Sequence, residues 1–259
     1  MKFDNKNITF SKIDLYRGIT LPSELNEDLA YLLGFHLGDG HMRQYIRSFG
    51  SLESSIFYDG HSINEYSHYE QYLCPLIRRL FNYICKIEVR KNSNNLRVCI
   101  GSRAIVDFLH IQCGLPLGPK DNAGIPSIIK NANKNLQCAF LRGLVDTDGS
   151  VVFKGGRGTQ RYYPTIDFQM KSKTLIGDLS SMLKSLGFSF HFGSRLKKRY
   201  EKAHFSHYIQ INGIRYFKMW EEMIGFSSQN HLTRIQVWKK LGYLPPRTTI
   251  LDRIELLQA

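Results

Sequence analysis

The amino-acid sequence predicts an α+β fold in which one α-β-β-α-β-β-α unit occurs twice along the chain. The main observation is a repeated segment, LLGFHLGDG at 32–40 and LRGLVDTDG at 141–149, whose final acids Asp39 and Asp148 stand 109 positions apart. Two weaker matches follow in the same order and at nearly the same offset, 76–81 with 182–188 and 100–103 with 211–215. An internal repeat of this kind is typical of a chain built from two copies of one structural unit.

The first copy begins with a helix predicted over 24–38, because apolar residues recur there at helical spacing. Pro22 and Ser23 precede this helix as start signals, and Gly40 follows as a stop signal. Alternating apolar residues predict the strands, and helical spacing predicts the later helices. These elements are strands at 44–49 and 55–59, a helix at 66–80, a hairpin of strands 87–91 and 96–100, and a helix at 104–112.

The second copy repeats the same order of elements. We expect a helix at 136–147, strands at 151–154 and 165–170, a helix at 174–186, strands at 191–196 and 207–211, and a helix at 215–223. The predicted organisation is an N-terminal half at 1–113, a linker rich in Gly and Pro at 114–135, a C-terminal half at 136–226 and a helical appendage at 227–259. Prolines at 245 and 246 predict a break within the appendage, to which the sequence assigns no function.

Composition and charge point to a globular protein with a polyanionic partner. Among 259 residues, 42% are hydrophobic and 22% are charged, which excludes a wholly disordered chain. Lys and Arg number 35 against 22 Asp and Glu, a formal net charge of +13. An excess of this size favours binding to nucleic acid.

Cysteine usage and the termini predict an intracellular protein. The five cysteines are an odd number without a CxxC spacing, which argues against a disulfide framework and a zinc finger. The N-terminus lacks the apolar core of a signal peptide, and no stretch has the length of a transmembrane span. We therefore expect no membrane association.

Small residues at fourfold spacing predict how the two repeats meet. Gly34 and Gly38 share one face of the first predicted helix, and Gly143 and Thr147 share the equivalent face of the second. Small residues at this spacing let two helices approach closely. The two helices would then end side by side, with their final acids close together.

Two carboxylates at adjoining helix ends repel each other unless a cation lies between them, because the helix dipole is also negative there. Carboxylate oxygens that share a site with phosphate oxygens suit Mg²⁺. In a basic protein, such a site indicates metal-assisted hydrolysis of phosphodiesters.

Three other interpretations of the motifs were weighed. An Asp-Gly pair after a single helix is often only a cap, but the repetition at equivalent points argues against this. The second motif is similar to the nucleophile loop of haloacid-dehalogenase-like phosphatases, with Asp146 as nucleophile, yet Leu37 replaces that acid in the first motif. An EF-hand is excluded because its twelfth loop position, counted from Asp146, is Arg157.

The paired segments resemble the signature of the LAGLIDADG homing endonucleases in their single-chain form with two motifs. The surrounding sequence carries the resemblance over about 20–226, including LPSEL at 21–25 and GLPLGPK at 114–120. The resemblance implies that the motif helices form the interface between the halves, and that each half presents antiparallel strands to the major groove. It also implies cleavage of both strands at a long, pseudo-palindromic site.

The same resemblance assigns the candidate catalytic residues. Asp39 and Asp148 would hold Mg²⁺, with Mn²⁺ as a substitute, and the preceding Gly38 and Thr147 are further candidate metal positions. The family places a basic or polar residue near the end of the second strand of each half. Lys171 and, with a weaker match, His61 occupy that place, where a cation could orient water or stabilise the transition state.

Basic and polar residues recur in every predicted hairpin, which indicates a DNA-binding surface independently of the resemblance. The candidates are Arg43, Gln44, Tyr45, Arg47, Arg90, Lys91, Arg97, Arg157, Arg161, Gln169, Arg195, Lys197, Lys198 and Arg199. The affinity of such a surface for DNA falls steeply with salt.

The sequence thus predicts a monomeric, site-specific endonuclease that acts on double-stranded DNA and is encoded within a mobile intron. The alternative is a nuclease-inactive DNA-binding regulator, or a maturase that binds its own intron RNA, on the same scaffold. Retention of both acids favours the enzyme. An element embedded in an intein is not favoured, because the chain begins with Met and shows no splicing blocks.

Overall fold

The computed structural model describes residues 1–48, 50–91, 93–155, 162–199 and 202–259, and for 197–199 and 202–204 it describes the backbone alone. The helices of the N-terminal half are α1 (Lys12–Tyr16), α2 (Glu27–Asp39), α3 (Tyr66–His68), α4 (Cys74–Phe81) and α5 (Arg103–Asp107). A wider helical turn joins α3 to α4 (Tyr69–Leu73), and another extends α5 (Phe108–Gln112). The later helices are α6 (Ser127–Lys130), α7 (Lys134–Val145), α8 (Lys173–Ser185), α9 (Ile214–Met223), α10 (Gln229–Leu241) and α11 (Ile250–Gln258).

Each half contains one antiparallel sheet of four strands. The first sheet has the order β1-β2-β4-β3 and the second the order β5-β6-β8-β7. Its strands are β1 (Gly40–Ile46), β2 (Leu52–His61), β3 (Ile87–Val89) and β4 (Asn95–Gly101), followed in the second half by β5 (Gly149–Lys154), β6 (Tyr163–Met170), β7 (His191–Arg199) and β8 (Lys202–Asn212). The predicted α+β class and the repeated order of elements are confirmed.

Two predicted boundaries are wrong for local reasons. Helix α2 begins at Glu27 rather than at 24, because the Asn26 side chain accepts the backbone N–H of Leu29 at 2.8 Å and caps the helix there. Strand β1 starts at Gly40, immediately after the helix, and not at 44. The first sheet therefore begins at the end of the motif helix.

The motif helices α2 and α7 pack against each other at their glycines, as the sequence predicts. A Cβ atom on Gly34 would overlap the backbone of Phe140, and one on Gly143 would overlap the backbone of Tyr31. Gly38 lies in the same way against the side chain of Thr147. Because only glycine allows this approach, the two helices make backbone contact at the centre of the molecule.

The sheets pack one face against the helices and leave the other face open. Along β2, Ile56 and Tyr58 are buried in the core, whereas Asp59 between the two strand ends is exposed. The second sheet alternates likewise, with Ile166 and Phe168 buried. We call the side away from the helices the outer face of each sheet.

The C-terminal appendage consists of α10 and α11, with a break between them at Gly242, whose φ of 78° ends α10 in the left-handed region. The buried Arg253 of α11 joins the two helices. Its guanidinium donates to Thr233 Oγ1 at 3.0 Å, Thr248 O at 2.8 Å and Asn230 Oδ1 at 2.7 Å. Burial lowers the pKa of Arg253 to about 10, so the group stays charged at neutral pH.

Within the described ranges, no helix has both the length and the apolar character needed to cross a lipid bilayer.

Candidate active site and nucleic-acid interface

The two motif acids lie at the same end of the central helix pair. Asp39 is the last residue of α2, and Asp148 follows three residues after the end of α7. Because Gly38 lies against Thr147, the residues that precede the two acids are in contact. The carboxylate of Asp148 is among the negative charges that raise the pKa of Asp39. The predicted juxtaposition of the two acids is therefore present in the structure.

Burial is the main cause that raises the pKa of Asp39 well above its usual range, and the nearby carboxylates of Glu65 and Asp148 add to it. The surrounding protein also excludes solvent around Asp148 and raises the pKa of that carboxyl, although part of its surface remains exposed. In the described part of the chain, neither carboxylate accepts a hydrogen bond or forms an ion pair. Both acids are thus available to an external partner.

The positive charge between the two acids comes from Lys120, which the sequence analysis placed in the linker without a role. Its Nζ donates to the carbonyl oxygens of His36 at 3.1 Å, Leu37 at 2.9 Å and Gly38. These are among the carbonyls left without partners at the C-terminal end of α2, where the helix dipole is negative. Burial lowers the pKa of Lys120, whereas Asp148 and Asp39 act in the opposite direction.

A cleft of about 470 Å³ opens beside Asp39 on the N-terminal half. Glu65 lines it, and its carboxylate is held by the backbone N–H of His61 at 2.6 Å. Burial raises the pKa of Glu65. Arg90 and Arg97 line the same cleft and supply positive charge at its rim. The cleft is large enough to admit a phosphate group next to Asp39.

The donor set fits a hard divalent cation that is completed by substrate. No group of three or more His, Cys, Asp or Glu side chains able to hold a metal occurs among the described residues. Each half instead contributes a single unpaired carboxylate, and Mg²⁺ commonly binds to one or two carboxylates together with phosphate oxygens and water. Of the two further candidates, the Gly38 carbonyl already accepts Lys120, and the Thr147 hydroxyl donates to the carbonyls of Gly143 and Leu144.

His61 and Lys171 occupy equivalent places, as the resemblance implied. Gly40 pairs with Tyr58 and Gly149 pairs with Phe168, so each candidate stands three residues beyond an equivalent point. Lys171 is exposed just past the end of β6. His61 Nδ1 accepts the backbone N–H groups of Ile63 and Asn64, at 3.2 and 3.3 Å, which stabilises the turn after β2. The lysine whose charge acts on both acids is Lys120, and a role for either candidate stays a prediction.

The outer face of the first sheet carries arginines stacked on aromatic rings. The guanidinium of Arg43 lies 4.9 Å from the Phe57 ring centre and 5.2 Å from that of Tyr45. Arg97 stacks on the other side of the strand pair, 5.0 Å from Phe57, and forms a two-point ion pair with Asp59 at 2.6 and 2.8 Å. Planar guanidinium groups fixed in this way suit recognition of bases and phosphates.

The outer face of the second sheet carries a network of amides instead. Asp167 accepts hydrogen bonds from Gln169 at 2.8 Å and Gln210 at 3.0 Å, and Lys154 donates to Gln210 at 3.1 Å. Arg195 stacks on Tyr208 at 4.3 Å. Amide and guanidinium groups can read base edges, so this face also fits a nucleic-acid contact.

Other predicted DNA-binding residues fall elsewhere. Gln44 points toward the helices, because it alternates with Arg43 and Tyr45 along β1, and its amide donates to Asp107 at 2.6 Å. Arg47 is exposed and paired with Glu53, and Lys91 is exposed on the turn after β3. The remaining candidates cannot be placed by side chain: Lys197, Lys198 and Arg199 belong to β7, where only the backbone is described, and Arg157 and Arg161 lie outside the described residues.

Residues 135–225 match the family model of the LAGLIDADG-like domain. A glutamine–fructose-6-phosphate aminotransferase of Methanocaldococcus jannaschii is 20% identical over 84% of this chain and 18% of its own length. An uncharacterized protein of the same organism is 24% identical over 93% of this chain and 26% of its own length. The chain therefore spans about a fifth to a quarter of these curated relatives.

Solved structures of homing endonucleases have a similar fold. A structure of I-DmoI variants superposes with a TM-score of 0.53 at 20% identity, covering 77% of this chain and 95% of that chain. The LAGLIDADG meganuclease I-AabMI, bound to uncleaved DNA, gives 0.52 at 11% identity, covering 91% of this chain and 99% of that chain. The chain thus carries a LAGLIDADG-like domain and has the two-motif, single-chain fold of the LAGLIDADG homing endonucleases.

Proposed function

We propose that this protein is a site-specific endonuclease that cuts both strands of a DNA duplex with Mg²⁺ as cofactor and Mn²⁺ as a substitute. The observation that carries the proposal is the pair of unpaired acids at the adjoining ends of α2 and α7, one from each half. Support comes from I-DmoI, which was solved in complex with DNA and Mn, with DNA and Ca, and with its target DNA in the presence of Mg.

Asp39 and Asp148 would hold the divalent cation against the scissile phosphates. When bound, the cation supplies positive charge to the phosphate and lowers the pKa of a coordinated water. Each acid belongs to its own half, so each would serve the strand nearest to it. Their raised pKa values reflect repulsion and burial that a bound cation relieves, which favours uptake of metal.

Lys120 acts as a fixed positive charge rather than as a proton donor. Its three N–H groups are all used by the carbonyls of α2, so it has no proton to place on a leaving oxygen without moving. Its ammonium, held close to both acids, offsets negative charge that develops on a phosphate in the cleft.

The outer faces of the two sheets would lie along the DNA on either side of the acids. Arginines such as Arg43 and Arg97 contact phosphates and base edges in one half-site, and the network around Asp167 and Gln210 contacts the other. Because one chain supplies both halves, a monomer covers a long, pseudo-palindromic site. We place its gene within a mobile intron, whose insertion site the enzyme would cut.

The test joins binding to cutting. A randomised duplex library is selected for binding in Ca²⁺, Mg²⁺ is then added, and the broken ends are sequenced for the unchanged protein and for Asp148→Asn. Staggered breaks at one sequence that the variant does not make support the endonuclease. Sequence-specific binding without cutting overturns it in favour of a regulator. Binding to the intron RNA alone, without DNA binding, favours the maturase.

A further inference from the structure

We propose that the C-terminal appendage, 227–259, is a positioning element for Asp148. The appendage lies outside the matched LAGLIDADG-like domain, which ends at 225. It holds the turn that carries Asp148 through hydrogen bonds on both sides of that residue. His231 and Arg234, both on α10, are the proposed positioning residues.

The first contact is at the C-terminal end of α7. His231 Nε2 donates to the carbonyl oxygen of Val145, the last residue of that helix, at 3.0 Å. Burial, reinforced by the charge of Arg234, lowers the pKa of His231 to about 3, so the ring is neutral and its one N–H points at the carbonyl. A carbonyl at a helix end has no partner within the helix, and His231 supplies it.

The second contact is with Asp146, two residues before Asp148. Its buried carboxylate accepts the backbone N–H groups of Ser227 at 2.9 Å and Ser228 at 3.1 Å, which lead into α10. It also accepts the hydroxyl of Tyr31 on α2 at 2.9 Å. Asp146 therefore joins the start of the appendage to both motif helices, and this fixes the turn from inside.

The third contact is beyond Asp148. Arg234 Nη1 donates to the carbonyl oxygen of Val151 on β5 at 3.2 Å. The chain from Val145 to Val151 is thus held at its two ends by residues one helical turn apart on α10. Arg253 keeps α10 in place from α11, since its three hydrogen bonds include two to side chains of α10.

The contacts to Asp39 are different. The end of α2 is held by Lys120 from the linker, and α10 makes no hydrogen bond to 36–40 among the described residues. Loss of the appendage contacts should consequently loosen 145–151 and leave 36–40 unchanged. This local effect separates positioning from general destabilisation.

The first experiment is hydrogen exchange on the full chain, and it does not depend on the proposed function. Arg234→Met keeps the aliphatic stem and removes the donor to Val151, and we expect amide exchange in 145–151 to accelerate about tenfold or more. Exchange in 36–40 should stay as in the unchanged protein. Gln236→Met, an exposed substitution on the same helix, is the matched control. Unchanged exchange in 145–151, or equal acceleration in both segments, overturns the proposal.

The second experiment rests on the proposed function and uses the target found by the library selection. We expect Arg234→Met to slow single-turnover cleavage about tenfold while the Kd for DNA in Ca²⁺ changes less than about twofold, and Arg234→Lys to recover most of the rate. Slower cleavage with proportionally weaker binding, or no recovery with lysine, contradicts a positioning role. If the unchanged protein cuts no duplex, the proposed function fails, and hydrogen exchange alone decides the role of the appendage.

Discussion

Gly38 of α2 lies directly against Thr147 of α7, and each of these two residues immediately precedes a motif acid. The contact brings the two halves into register at the site itself. Because a side chain on Gly38 would overlap that of Thr147, the separation of the two acids depends on the absence of one methyl group. The stability of the helix pair and the geometry of the site are therefore coupled.

Gly143→Ala should destabilise the protein by about 3 kcal/mol, because its Cβ overlaps the backbone of Tyr31 and the helices must separate. Urea unfolding measures the change. Gly177→Ala is the control, since Gly177 lies in α8 with open space around it and alanine is the better helix former. The control should be neutral or more stable, and an equal loss from both variants would show that the helix contact is not the cause.

Asp39→Asn should raise the temperature of unfolding at pH 7.5 without metal while it abolishes cutting. The folded pKa of Asp39 lies above its unfolded value, so stability is lost as pH rises through the folded pKa. Asparagine does not titrate and avoids this loss. Scanning calorimetry checks the prediction, with Asp121→Asn, an exposed linker substitution, as control. Mg²⁺ should stabilise the unchanged protein more than the variant, and a lower unfolding temperature for Asp39→Asn would refute the argument.

Lys120→Met should slow single-turnover cleavage by a factor of about 100 or more, because the fixed charge beside both acids is lost. Binding to DNA in Ca²⁺ should change little. Lys171→Met is compared in the same assay, since the family resemblance assigns Lys171 to the site and its substitution is expected to slow cleavage as well. A rate for Lys120→Met equal to that of the unchanged protein would remove this residue from the site.

Tyr31→Phe should destabilise the fold more at pH 8.5 than at pH 5.5. Burial raises the pKa of Asp146 to about 7, so this carboxyl is charged at the higher pH, and the Tyr31 hydroxyl stabilises the charged form. A hydrogen bond to a charged group contributes about 1.5–3 kcal/mol, more than one to a neutral group. Denaturant unfolding at both pH values measures the difference.

Tyr72→Phe is the matched control for Tyr31→Phe. Tyr72 packs against Tyr31 with ring centres 4.8 Å apart, but its hydroxyl makes no hydrogen bond to a described residue. Its effect should be the same at both pH values. Equal losses at both pH values for Tyr31→Phe would mean that packing, and not the bond to Asp146, is what the hydroxyl supports.

Binding to the selected duplex should weaken steeply with salt, and Arg43→Gln should reduce the slope of log Kd against log salt concentration by about 1. Arg43 is stacked and exposed on the outer face of the first sheet. Fluorescence anisotropy over a salt series gives the slope. Lys184→Gln, exposed on α8, should leave it unchanged, and a flat profile for the unchanged protein would argue against a phosphate-dominated interface.

The repeat, the order of elements and the meeting of the acids could all be predicted from the sequence, because each depends on local patterns that occur twice. Lys120 could not be predicted in this way. Flanking Gly and Pro identified its segment as a linker, and nothing local indicates that its side chain reaches back 82 positions to Gly38.

The orientation of Gln44 was within reach of the sequence but was missed. Side chains alternate across a strand, so Gln44 cannot share the outer face with both Arg43 and Tyr45. Placing the strand four residues too late, at 44–49 instead of Gly40–Ile46, hid this alternation. The appendage was predicted as helical with a break, but its contacts with the turn around Asp148 depend on packing between distant segments.

Each half is completed by the segment that follows it along the chain. The linker after the first half supplies Lys120 to the end of α2, and the appendage after the second half supplies Ser228 and His231 to the end of α7 and its adjoining turn. A chimera that joins halves from two such proteins should therefore be cut beyond these segments and not at the last helix of the repeat. A C-terminal half transplanted without 227–259 would arrive with its acid on an unsupported turn.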